Sequence, residues 1–214
     1  MLDNAGINLL LEVVSVFEGG VPKRYSTFSC MKGDAGELSL GYLQASLTSG
    51  SVGKLLRTYA NLGGKVIPES YIHRAESIDH TLDTDATLKP LWLQACADPL
   101  MHTAQDLFFS EYFIHPAMAD ADKLNVSEPL CYCLAVDGHI QGAFHTINAM
   151  LPAGLNQWDW AKSYVKTRRN WLATHKIQAL HATVYRMDFF QEQIDAGNWK
   201  LDARPMDCHG YKFV

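Results

Sequence analysis

The chain carries Glu18 at the end of an apolar run, "VVSVFEGG", and, sixteen positions later, Asp34 inside the glycine-rich "KGDAGELSLGYLQAS", with Glu37 three residues on. Two carboxyl groups in contrasting settings suit cleavage of a glycosidic bond. A carboxyl among apolar side chains keeps its proton more readily and can protonate a leaving oxygen. A carboxylate in a polar loop, among backbone N–H groups, stays ionised and can activate water. Val14, Val16 and Phe17 give Glu18 the first setting, and Gly33 and Gly36 give Asp34 the second. Glu37 shares that loop and competes with Asp34 on the same grounds. An inverting enzyme would hold the two groups roughly 6.5–9.5 Å apart, with the water between.

Elements must bring such groups together. Apolar residues at 7, 9–11, 13, 14, 16 and 17 predict a nearly all-round apolar, central helix over 6–18, capped by Asp3 or Asn4 and ended by Gly19-Gly20. Residues 25–46 read as short strands and tight turns. A helix, "SVGKLLRTYANL", follows Thr48 or Ser49 as cap and stops at Gly63-Gly64. Further helices are expected over 67–81 and 86–97, then one long amphipathic helix after Asp98-Pro99. "PLCYCLAVDGHIQGAF" is apolar on most sides and fits a buried helix or strand equally. "QWDWAKSYVKTRRNWLAT" and "HATVYRMDFFQEQIDAG" read as helices, and the tail after Asn198 as irregular.

Composition sets outer bounds. The 214 residues are 48% hydrophobic and 19% charged, an ordinary globular balance large enough to bury one core. A net charge of −5 without basic clusters argues against nucleic acid, and no apolar run is long enough for a membrane span. The acidic start and the interruption at Glu12 do not make a signal peptide. Five cysteines without repeated spacing argue against a disulfide framework. His139 and His145 flank Asp137 but show no third ligand in the sequence, so no metal is expected. No cofactor is expected either. Cys208-His209 is a poor thiol nucleophile, because adjacent residues rarely face each other. Trp158, Trp160, Trp171 and Trp199 read as packing residues, one or two of which would line a sugar cleft.

Taken in order, "VVSVFEGG", "GDAGELSLGYLQASLTSGSVGKLL", "DPLMHTAQDLFFSEYFIHPAMADADKL", "PLCYCLAVDGHIQGAF" and "ATVYRMDFF…IDAGNWKL…P…GY" resemble the family-46 chitosanases of the lysozyme-like superfamily over nearly the whole chain. The resemblance implies a single mainly α (α+β) domain over 1–214, two-lobed and lysozyme-like, with a small β-hairpin region beside the cleft. It implies Glu18 as general acid, Asp34 rather than Glu37 as general base, and Ser39 as the hydroxyl that helps hold the water. Glu37, Tyr42 and Gln44 would touch substrate. Asp137 and Arg186 would form a charge network supporting Glu18, with Arg204 as an open further member. The family's acidic substrate-binding residue after the hairpin is replaced here by Ser51, which disfavours cationic chitosan. Peptidoglycan is therefore the first expected substrate and chitosan the second, with a non-catalytic glycan-binding protein as the alternative of another class. A phage lysin or injected effector would act on the cell wall or periplasm without a cleaved signal, with an immunity or delivery protein as partner.

Overall fold

The computed structural model describes residues 2–30 and 38–214, without the side chain of Asn4. Asp34 and Glu37 therefore lie outside the described residues. The elements run α1 (Asn4–Gly19), β1 (Phe28–Cys30), β2 (Leu38–Leu40), β3 (Ala45–Ser46), α2 (Ser51–Asn61), α3 (Glu69–Glu76), α4 (Leu88–Ala95), α5 (Pro99–Phe109), α6 (His115–Lys123), α7 (Pro129–Ile140), α8 (Phe144–Asn148), α9 (Gln157–Thr174), α10 (Tyr185–Asp195), β4 (Met206–Cys208) and β5 (Tyr211–Phe213). Short 3₁₀ turns cover His80–Thr84 and Gln178–Thr183. The fold is mainly α with small antiparallel sheets, as expected. No described helix is long and apolar enough to cross a membrane.

The chain divides into two compact units, one of residues 1–22 with 113–214 and the other of residues 23–112. In the first, α1 is the apolar helix read from the sequence. The Asp3 carboxylate accepts from the Gly6 N–H at 2.8 Å, and Gly20 ends the helix in the left-handed region at φ 75°. Leu10, Val13, Val14 and Val16 have no exposed surface. They pack on α7, where Leu130 to Gly138 are all buried. A helix buried on every side has no amphipathic period, so periodicity did not separate helix from strand here. On another side of α7, Gly138 lets α9 come close, since a Cβ there would fall 2.4 Å from the Tyr164 hydroxyl.

The second unit holds a three-stranded antiparallel sheet in the order β1-β2-β3, pairing Ser39 with Ser29 on one side and Ser46 on the other. Gly41 follows β2 at φ 81°, where a Cβ would lie 2.6 Å from Gln105 Oε1. That oxygen accepts from the Tyr42 N–H, and Gln105 Nε2 donates to the Tyr25 carbonyl, so α5 holds the turn. Against α2, Gly53 lets α3 approach to backbone contact.

Four expectations change, the first at the start of α2, where left-handed Gly50 rather than Thr48 or Ser49 is the cap residue. The long helix after Pro99 is interrupted by a π-helical turn at Ser110–Ile114. Pro116 has no N–H to give to the Tyr112 carbonyl, and its ring crowds that oxygen, so the helix widens there. The helix expected over 67–81 ends at Glu76, because Ile78 turns left-handed at φ 55° and Arg74 gathers Asp79 and Asp85 around the following turn. The tail is a hairpin of β4 and β5 rather than irregular. His209 and Gly210, both at positive φ, make its two-residue turn.

Candidate active site

Glu18 sits in the last turn of α1, with its side chain 15% exposed. Arg186, in the first turn of α10, donates through Nη2 to Glu18 Oε1 at 2.7 Å and through Nη1 to Asp137 Oδ1 at 2.9 Å. Asp137 has no exposed surface, and neither does Arg168 of α9, whose Nε lies 3.8 Å from Asp137 Oδ2. Four helices of one unit thus contribute two acids and two cations in alternation. Arg168 is held from behind, because its Nη1 donates to the Gly142 carbonyl and its Nη2 to Gln141 Oε1, both at 2.8 Å.

Aromatic rings wall this chain of charges. The Arg186 guanidinium lies 5.4 Å from the Phe17 ring centre. Phe17 meets Tyr185, Phe189 and Phe190 edge-on. The Tyr185 hydroxyl donates to the Phe17 carbonyl at 2.7 Å, fixing the last turn of α1 against α10. Burial acts to lower the Arg186 pKa, but the charges of Glu18 and Asp137 outweigh it and hold the guanidinium above its ordinary value. Arg186 is therefore a permanent cation that orients Glu18. The setting of Glu18 is a charge network as well as an apolar helix end, which the run of valines alone did not foretell.

The other candidates separate. Ser39 lies in the central strand of the three-stranded sheet and is 9% exposed. Gln44 is half-buried in the turn after β2, at φ 52°. Tyr42 is a correction. It is 1% exposed, its hydroxyl donates to Asp106 at 2.9 Å, and burial together with the Asp106 charge pushes its pKa far up. A ring so enclosed offers no face to a sugar and instead holds the sheet to α5. Arg204 also leaves the network, because it donates to the carbonyls of Leu201 and Ala203. Ser51 accepts from Ser49 Oγ at 2.8 Å, and Ser49 is bonded in turn to Ser46.

Arg168 was missed by sequence reasoning, and a signal for it existed. It falls on the stripe Ala161, Tyr164, Val165, Arg168, Leu172, the buried face of α9. A charge on a core stripe asks for a buried partner. Cys208 is no nucleophile: it is buried, its thiol is pushed up to about 12 by burial, and His209 is stacked on Tyr185. Trp160 is core, donating to Asn148 at 2.8 Å, whereas Trp158 is 43% exposed.

No protein-family model and no curated protein matches the chain. Among solved structures, a family-46 chitosanase of Gynuella sunshinyii in complex with chitotetraose superposes with a TM-score of 0.83 at 20% identity, over 100% of this chain and 98% of that one. The native chitosanase of Bacillus subtilis gives 0.81 at 15% identity, over 100% of both chains. A mutant of the Bacillus subtilis enzyme complexed with six glucosamine units gives 0.81 at 17%, over 100% and 99%. The chain has the fold of the family-46 chitosanases over its whole length.

Proposed function

We propose that this protein is a glycoside hydrolase that cleaves β-1,4 bonds of an amino-sugar polymer, with peptidoglycan as its substrate. The observation that carries this is a glutamate at a helix end held at 2.7 Å by a buried arginine that a buried aspartate braces, on a chitosanase fold. Glu18 protonates the leaving oxygen. Asp34 takes a proton from the attacking water, which Ser39 helps to hold, and the anomeric centre inverts in a single displacement. Asp34 enters this mechanism on its sequence motif alone. Arg186 and Asp137 position the acid and do not touch the sugar.

Substrate choice rests on charge. Glucosamine is cationic and favours acids in its cleft, whereas N-acetylated sugars are neutral. The hydroxyls of Ser46, Ser49 and Ser51 beside the start of α2 bring no negative charge. On this reading the producing cell needs an immunity protein or controlled delivery. Chitosan is the second reading, favoured by structural neighbours solved with chitotetraose and with six glucosamine units.

Release of reducing ends from purified peptidoglycan and from chitosan, compared at equal enzyme concentration, separates these. Activity on peptidoglycan alone supports the first reading, and activity on chitosan alone selects the second. Activity on neither, with binding retained, leaves a non-catalytic glycan-binding protein.

A further inference from the structure

We propose that Asp120, His139 and His145 form a binding site for one divalent zinc-type cation, on the first unit and outside the proposed catalytic machinery. The sequence shows two histidines six residues apart and no third ligand. The fold supplies it from α6, which packs along α7. Asp120 Oδ2 lies 3.1 Å from His139 Nε2 and 3.4 Å from His145 Nε2. Zinc bound at about 2.0–2.1 Å in tetrahedral geometry spaces its ligand atoms by about 3.3–3.4 Å. One of the three edges therefore already has the length a bound ion requires, and a second is only slightly shorter. The third is within 4.8 Å and needs only a swing of His145, whose side chain is 75% exposed.

Three further features fit a ligand set better than an ion pair. His139 Nε2 is shut off from solvent and makes no hydrogen bond, although a carboxylate oxygen lies within reach. A buried ring nitrogen in that state is costly unless something binds it. Asp120 divides its oxygens, Oδ1 accepting from Lys123 at 2.7 Å and Oδ2 facing the two rings, so the outer contact orients the inner one. Backbone strain aims the second histidine. Gly142 and Ala143 are both left-handed, at φ 85° and 68°, and their reversal folds His145 back beside His139. An alanine in that region is strained, and the surroundings must enforce it.

Two imidazoles and one carboxylate suit zinc or a similar borderline metal, with the fourth position left to water. Calcium and magnesium prefer oxygen ligands. The ion would clasp α6, α7 and α8 and pin the turn whose Gln141 and Gly142 hold Arg168. This proposal stands whether or not the chain cleaves a glycan.

Titration of chelator-treated protein with zinc chloride in a calorimeter tests it, beside His145→Ala and Asp120→Asn. Expected are one ion per chain at micromolar or tighter affinity, weakening of tenfold or more in each variant, and a thermal midpoint raised by about 5 °C at a hundredfold excess over Kd. Cobalt in place of zinc should give the intense visible absorption of a tetrahedral site, lost in both variants. No stoichiometric binding, or equal binding by the parent and both variants, overturns the site.

Discussion

Each group in the charge chain has its own expected deletion signature. Glu18→Gln keeps the shape of the side chain and removes the proton that the proposed mechanism transfers. Turnover on the cleaved polymer should fall by about 10²–10⁴-fold or more with the circular dichroism spectrum unchanged. A variant that clears cell walls like the parent refutes the general acid. Arg186→Ala acts differently, because it strips Asp137 of its bonded cation in a site without solvent. Such a loss costs about 3–5 kcal/mol, read from the denaturation midpoint. Replacing Arg186 and Asp137 together by apolar residues of similar size leaves buried Arg168 without its acid, so it should recover only part of that stability and none of the activity. Recovery of both would make the pair purely structural. Glu18 at the end of α1 was legible because that helix and its glycine stop are local in sequence. Arg168 was harder, since its partner Asp137 lies on another helix and only the buried stripe of α9 links them.

Among the elements, close approaches and caps decide. Gly53→Ala would put a Cβ 2.7 Å from the backbone of Glu76 and should destabilise by about 1–3 kcal/mol, because backbone cannot step aside like a side-chain tip. Asp98 caps α5 through the Leu100 N–H at 3.0 Å and also accepts from the Tyr59 hydroxyl at 2.8 Å. Asp98→Ala should cost about 2 kcal/mol, a cap plus an orphaned hydroxyl. Acid should loosen the turn after α3. Bonds from Thr81 and then Arg74 depress the Asp79 pKa to about 2. A group with a depressed folded pKa stabilises above its unfolded value, about 3.9, and that contribution is lost as pH falls toward 2. Melting midpoints between pH 5 and 2 should therefore drop more steeply for the parent than for Asp79→Asn, and parallel curves would refute the link. Helix positions were readable where glycine, proline and aspartate punctuate the chain. The C-terminal hairpin was not, although Met206, Cys208 and Phe213 alternate with exposed Asp207 and Lys212. Strands of three residues are too short for their period to stand out beside Pro205 and Gly210.

For the whole molecule, fold and sequence motif carry different weight. Superposition over the full chain at 15–20% identity fixes the architecture, while substrate choice depends on a few charged side chains that such divergence leaves open to change. The first unit is built from the two ends of the chain, with the second unit inserted after residue 22. Phe17 and Tyr185 are joined across 168 positions, and the Cys208 thiol lies 4.0 Å from the Val13 carbonyl across 195. Synthesis runs from one end, so α1 leaves the ribosome long before the helices that will cover it. Leu10, Val13, Val14 and Val16 then stay unsheltered at least until α7 has been made. Premature termination after residue 112 but before α7 would leave a complete second unit attached to a sticky, uncovered helix, a natural client for a holdase chaperone. A permuted gene that starts at residue 113 and splices the old termini together would make the first unit contiguous and shorten that vulnerable interval.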